Sequence, residues 1–180
     1  MLAGLFVGGR ATRMGGIHKG LLQIEGEAVV VRLARIAREV GLEPVWVGLR
    51  DDAYRTALPG LRELADAPAG IGPLGGLAGL LAHGSAIALA CDMPFVSSQL
   101  LLRLRDEQPD ALALAPRFDG IWEPLCARYD ARAGVALERA IAAGTRSLQP
   151  FLSALPAHEL VLSSRDELRD WDTPDDVSPP

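Results

Sequence analysis

Short apolar runs of strand length alternate along this chain with stretches whose apolar residues recur at helical spacing. That alternation limits the fold to a mostly parallel sheet with helices on both faces. Leu2 to Val7 is the first apolar run, and it ends in Gly8-Gly9 at the start of a glycine-rich loop that reaches Gly20. From Ala28 to Glu39, Val29, Val30, Leu33, Ile36 and Ala37 share one helical face, Arg32, Arg35 and Arg38 lie opposite, and Gly41 is a stop. Further strands are expected at Pro44 to Val47, Ile87 to Ala90, Ala111 to Ala115, Pro124 to Tyr129 and near Leu160 to Leu162. Helices are expected at Asp51 to Leu58, at Leu77 to Ala82, after a cap at Ser97 or Ser98, and from Asp130 to Ala143. Ala67 to Gly76 is rich in Gly and Pro and reads as a loop. No linker, repeat or low-complexity segment interrupts the pattern, so residues 1–180 are expected to form one domain.

Composition narrows the function classes. Hydrophobic residues make up 49% of the chain and aromatics only 5%, so aliphatic side chains must fill the core. The net charge is -5 with no basic stripe, which argues against nucleic acid as a partner, because phosphate neutralisation supplies most of that affinity. Cys91 and Cys126 fit neither a zinc pattern nor a disulfide framework, and read as small buried residues of a reducing, cytoplasmic protein. No apolar stretch approaches a membrane span, and the first apolar run reads as a strand rather than a signal peptide.

In an open α/β sheet, ligands bind beyond the carboxyl ends of the strands, and both polar constellations of this chain fall there. The loop Gly8-Gly9-Arg10-Ala11-Thr12-Arg13-Met14-Gly15-Gly16-Ile17-His18-Lys19-Gly20 combines glycines, which let the backbone approach an anion, with four basic side chains. Free N–H groups plus cations make a cradle for a triphosphate, although no Gly-Lys-Ser/Thr of a P-loop is present. Lys19 is the only lysine among 18 basic residues, and a compact ammonium acts on phosphate as a point charge where a planar guanidinium does not always fit. Asp92, just past a buried strand, is either a turn residue or a carboxylate for a divalent cation. Gly70-Ile71-Gly72-Pro73-Leu74-Gly75-Gly76 contains a literal G-x-G-x-x-G, but no strand precedes it, so it reads as a loop that lets a ligand approach the backbone. Asp66 beside it is a turn residue or a contact to base or ribose. Glu123 is an edge charge or a contact to a second substrate, and Gly144-Thr145-Arg146-Ser147 is an anion site or a helix exit and cap.

Taken in order, Gly8-Gly9, Arg13-Met14-Gly15, His18-Lys19-Gly20, Gly72-Pro73-Leu74-Gly75-Gly76, Cys91-Asp92-Met93-Pro94, Glu123-Pro124-Leu125 and Asp172-Thr173-Pro174 resemble the motifs of molybdenum cofactor guanylyltransferases, the MobA-like branch of the nucleotidyltransferases. The resemblance implies a three-layer α/β/α, Rossmann-like, mostly parallel mixed sheet of the nucleotidyltransferase type. It implies Mg²⁺-dependent transfer of GMP from GTP to molybdenum-bound molybdopterin, with pyrophosphate released. On the same basis Gly8, Gly9, Arg10, Arg13, Lys19, Asp66, Gly75 and Asp92 would bind nucleotide, with Arg13, Lys19 and Asp92 catalytic. Asp92 and Asp172 would hold Mg²⁺, and Glu123 and Arg146 would face the acceptor. Transient contact with other molybdenum cofactor proteins is a further implication. The chain departs from the family pattern at His18, in place of Asp, and at Asp172, in place of Asn. It also carries Gly48 where members often have a base-reading Asn, and it contains no asparagine at all. The alternatives are a related transferase using CTP or a sugar-phosphate acceptor, or a degenerate nucleotide-binding protein.

Overall fold

In the computed structural model, which describes residues 1–7 and 18–169, the first apolar run is strand β1 (Leu2–Phe6), buried at every residue. Ala3 and Leu5 join one core, and Leu2 and Phe6 join the other. A strand covered on both faces must be apolar throughout, which is why this run lacks polar alternation. A small hairpin, β2 (Gln23–Ile24) and β3 (Glu27–Ala28), leads into helix α1 (Val29–Glu39). Then come β4 (Glu43–Val47), α2 (Asp52–Ala57), β5 (Glu63–Leu64), α3 (Pro73–Leu81), β6 (Ala86–Ala90) and α4 (Ser98–Asp106). The remaining elements are β7 (Ala113–Ala115), the hairpin of β8 (Arg117–Phe118) and β9 (Ile121–Trp122), β10 (Cys126–Tyr129), α5 (Ala133–Ala142), α6 (Leu148–Ala154) and β11 (His158–Glu159).

Seven strands form the main sheet in the order β11-β7-β10-β6-β1-β4-β5. β10 runs antiparallel to both its neighbours, and the other pairs are parallel, as in β1 with β4 (Leu5 opposite Trp46) and with β6 (Leu5 opposite Leu89). α1, α4 and Tyr54 of α2 close one core, while α3, α5 and α6 close the other. The layering is the expected α/β/α arrangement. Helix α1 presents Val29, Val30, Leu33, Ile36 and Ala37 to its core, and Ser97 caps α4 by accepting from the Leu100 N–H at 3.1 Å.

The structure corrects several boundaries. Helix α3 starts at Pro73, not Leu77, so the glycines at 75, 76 and 79 lie inside a helix. Gly72 supplies the positive φ of +70° before it, and Pro73 occupies the first helical position, where its missing N–H costs nothing. A helix this rich in glycine is weak by propensity, and packing sustains it. A Cβ on Gly79 would lie 2.1 Å from the Ala65 carbonyl oxygen, and one on Gly75 would lie 2.4 Å from that of Pro68. The glycines therefore let α3 press against the 65–68 segment. Strands β2, β3, β5, β8 and β9 were not expected, because two-residue strands carry no periodicity, and neither was the two-turn helix α6. The last strand lies at His158–Glu159 instead of 160–162, although the buried Leu160 still donates to the Ala115 carbonyl at 2.9 Å. Helix α5 starts three residues later than expected, since Asp130 accepts from the Arg132 N–H and caps the turn before it. Among the described residues no helix is long and apolar enough to cross a membrane.

Candidate functional site

β1 lies between β4 on one side and β6 on the other, so the chain reverses its direction of travel across the sheet at β1 and β6. A crevice opens at such a point beyond the strand carboxyl ends. Lys19 reaches it from the short 3-10 turn Lys19–Leu21, and Asp92 from the turn that leaves β6. The Lys19 Nζ lies 3.5 Å from the Asp92 Oδ2, with the two side chains 21% and 27% exposed. The crevice thus holds a cation suited to phosphate beside a carboxylate suited to a metal ion, and both are open enough to meet a ligand.

The pair is fixed from below. Gly20 is buried, and a Cβ on it would come within 2.9 Å of the Tyr54 ring and 3.1 Å of Cys91 Cβ. Only glycine lets the Lys19–Leu21 turn sit this close to the residue before Asp92. Tyr54 packs edge-on against Trp46 and against His18. On the far side of the Asp92 turn, Arg32 of α1 donates to the Pro94 carbonyl at 3.0 Å, so it is not simply a solvent-facing residue. The His18 Nε2 lies 3.1 Å from the Asp51 Oδ2, while the other oxygen of Asp51 caps α2 by accepting from the Ala53 N–H at 2.8 Å. A carboxylate therefore lies beside position 18, contributed by position 51. Residue spacing gave no sign of this pairing or of the support from Tyr54 and Cys91.

Burial, reinforced by the charge of Asp92, pushes the Cys91 thiol up to about 12, and burial raises that of Cys126 as well. A raised pKa keeps the thiol protonated until the pH approaches it, and at pH 8 a thiol of pKa about 12 is thiolate in roughly one molecule in 10⁴. Both cysteines should thus resist alkylation by iodoacetamide in the native protein at pH 8 and react within minutes in denaturant. Fast labelling of the folded protein would contradict the tight seat of Gly20 on Cys91.

The other expected residues spread along the same edge. Asp66 follows β5, three strands from β6, a separation of roughly 14 Å at the usual strand spacing. Its Oδ1 lies 3.5 Å from where a Cβ on Gly76 would be, beside the first turn of α3. Gly75 lies in the first turn of α3, where a side chain would collide with the Pro68 carbonyl, so the reading of residues 73–76 as a loop is corrected to the start of a helix. Gly48 follows β4 with φ +70°, a conformation that glycine adopts freely and Asn tolerates. Glu123 precedes β10 on the opposite side of Asp92. It stands three residues before Cys126, whose strand partner Leu89 is three residues before Asp92. The Glu123 turn is tied in by Ala90 N–H to Leu125 O at 2.7 Å and Tyr129 O–H to Pro124 O at 2.9 Å. The Arg146 guanidinium donates to the carbonyls of Ile141 and Thr145 at the end of α5, so its contacts in the protein are those of a helix exit. Gly8, Gly9, Arg10, Arg13 and Asp172 lie outside the described residues.

A glycine-rich, basic stretch of sequence after β1, a carboxylate after β6 and a mixed sheet of this order are those of a nucleotidyltransferase of the α/β class. Residues 3–160 match the model of the MobA-like NTP transferase domain, and the chain belongs to that family. A molybdenum cofactor guanylyltransferase from Pseudomonas putida is 37% identical, covering 95% of this chain and 92% of that protein. One from Pseudomonas entomophila (strain L48) is 34% identical over 95% of this chain and 93% of its own. Among solved structures, molybdopterin-guanine dinucleotide biosynthesis protein A from Archaeoglobus fulgidus superposes with a TM-score of 0.79 at 28% identity, covering 98% of this chain and 95% of that one.

Proposed function

We propose that the protein transfers GMP from GTP to the terminal phosphate of molybdopterin carrying molybdenum, forming the guanine dinucleotide cofactor and pyrophosphate. The observation that carries this reading is the Lys19–Asp92 pair at the switch point of a nucleotidyltransferase sheet. GTP would place its triphosphate on the Gly8–Gly20 loop, with Arg10, Arg13 and Lys19 offsetting its charge, and its base toward Asp66. The acceptor phosphate oxygen attacks the α-phosphorus in line, the bond from that phosphorus to the bridging oxygen breaks, and pyrophosphate leaves with the electron pair. The protein needs no covalent nucleophile for this. Its residues align the two substrates and neutralise charge that moves onto the leaving group.

The donor set fits Mg²⁺. That ion is usually held by one or two carboxylates together with substrate phosphates, and not by an all-protein cage. Asp92 offers one accessible carboxylate, and among the described residues no cluster of three or more His, Cys, Asp or Glu side chains competes for a metal. Asp92, joined by Asp172, would hold the ion. When bound, Mg²⁺ would polarise the phosphates and stabilise negative charge on the leaving group. The absence of a membrane-crossing helix among the described residues and the two unpaired thiols support a cytoplasmic enzyme acting on small molecules. Delivery or collection of the cofactor by other molybdenum cofactor proteins belongs to the same reading.

Gly48 favours one second reading, a CTP-using relative, because the end of β4 carries no side chain to read the base. Thermal stabilisation separates the two, since a ligand of the native state raises its melting temperature by mass action. With Mg²⁺ present, GTP is expected to stabilise the wild type, CTP to do so weakly, and Lys19→Ala to lose the GTP effect. Stabilisation by CTP alone would replace guanylyl with cytidylyl transfer, and no response to any nucleotide would sink the transferase reading.

A further inference from the structure

The short turn that carries Lys19 is tied to helix α2 through both neighbours of the lysine. His18 precedes the turn with φ -78° and ψ 96°, and its side chain does not cap it. The imidazole meets α2 instead. Its Nε2 lies 3.1 Å from the Asp51 Oδ2, and its ring meets Tyr54 edge-on with the centroids 5.5 Å apart. Asp51 divides its carboxylate between two tasks. Oδ1 accepts from the Ala53 N–H at 2.8 Å and caps α2, which leaves Oδ2 for His18. On the other side of Lys19, Gly20 is seated on the ring of the same Tyr54. Tyr54 is buried and packs against Trp46 of β4, so α2 offers a fixed surface to the turn. Asp51 itself lies on the segment that leaves β4, so the His18–Asp51 contact joins the strand end at Gly48 to the turn that presents Lys19.

Building on the proposed contact between Lys19 and the triphosphate, we infer that His18 and Asp51 are positioning residues that set where the Lys19 ammonium meets phosphate. A lysine head rides on a flexible four-carbon stem, and anchoring the backbone at its base narrows the space that the head can reach. The two side chains are 34% and 45% exposed, so the pair is partly solvated and its share of GTP affinity is a factor of a few. The pair is also a matched set. The family pattern has a carboxylate at position 18, whereas this chain has the imidazole at 18 and the carboxylate at 51. Putting Asp back at position 18 alone would set two carboxylates against each other. The departure at His18 is thus compensated through Asp51, and the family's own residue harms this chain unless position 51 changes with it.

The experiment is calorimetric titration of the full chain with GTP and Mg²⁺, with the melting temperature of the nucleotide-free protein read on the same samples. Asp51→Ser keeps a residue that caps a helix but is too short to reach His18, and it should weaken GTP binding about 3- to 5-fold. His18→Asp should weaken it by about 10-fold, because the introduced carboxylate faces that of Asp51. Adding Asp51→Asn to His18→Asp should recover most of that loss. The introduced amide caps α2 through its oxygen and donates through its nitrogen to the carboxylate at position 18. A pair that only stabilised the fold would lower the melting temperature and leave GTP affinity unchanged, and that result overturns the proposal. So does a His18→Asp variant that binds GTP as tightly as the wild type, or a double variant that binds it no better than His18→Asp alone. Failure of the wild type to bind GTP, or full GTP affinity in Lys19→Ala, would instead overturn the reading of Lys19 on which the proposal rests.

Discussion

Asp92→Asn lowers the rate of GTP-dependent pyrophosphate release by about 10²- to 10³-fold, the usual cost of losing one preorganised electrostatic contact to a transition state. Asn keeps the shape of the side chain, but it removes the charge that pairs with Lys19 and that, on the proposed mechanism, would hold the cation. The lost charge matters most where negative charge grows on the departing pyrophosphate, so turnover should fall more than GTP affinity does. The Mg²⁺ concentration needed for half-maximal rate should rise in parallel. Stability should change by less than about 1 kcal/mol, because the Lys19–Asp92 pair is partly solvated and spans 3.5 Å. An Asn variant with wild-type turnover at ordinary Mg²⁺ would remove Asp92 from the mechanism. One that merely melted early would instead make it a structural residue.

The sequence carried the layering because apolar periodicity is a local property. β1, α1, β4, β6 and α4 each declare themselves within a dozen residues, and the positions of the candidates Lys19 and Asp92 follow from their places after β1 and β6. The failures share one physical cause, which is that distant contacts overrode local preference. Pro73 to Gly76 reads as a loop because glycine is costly in a helix, yet the glycines allow α3 to touch the 65–68 segment. The substitution of His18 reads as a lost carboxylate until Asp51 is found beside it, since nothing in residue spacing says that the start of α2 folds back on the Lys19 turn. At Arg146 the Gly-Thr-Arg-Ser stretch leaves an anion site and a helix exit open from sequence, and the structure adds that one guanidinium nitrogen donates to carbonyls at the end of α5. The cleft beside Glu123 was the least legible feature, because it is assembled from the turn before β10 and from residues 165–169, which no local pattern connects.

The override at α3 has a measurable size. Gly79→Ala puts a methyl group into a space where its nearest neighbour, the Ala65 carbonyl oxygen, would be at 2.1 Å, with the Ala65 carbonyl carbon at 3.3 Å. Both are backbone atoms, so a side-chain rotation cannot relieve the clash. In a solvent-facing helix the same change would stabilise by about 1 kcal/mol. Here overpacking reverses the sign, and the net loss should be about 3 kcal/mol. For a chain of 180 residues that corresponds to a melting temperature lower by about 6–12 °C. Gly134→Ala in α5 is the matched control, because no atom lies within 4 Å of its added Cβ, and it should raise stability by a few tenths of a kcal/mol. The two substitutions are chemically identical and both lie in helices, so opposite signs isolate the close approach of α3 to the 65–68 segment. Asp66 stands between Ala65 and Ala67 in that segment, so a shift of the segment away from the methyl group moves its carboxylate. The Gly79 variant should therefore also need more GTP for half-maximal rate, while the Gly134 variant should not. If Gly79→Ala melts with or above the wild type, the helix does not approach the chain as closely as its glycines indicate. The base-side geometry built on Asp66 would fall with it.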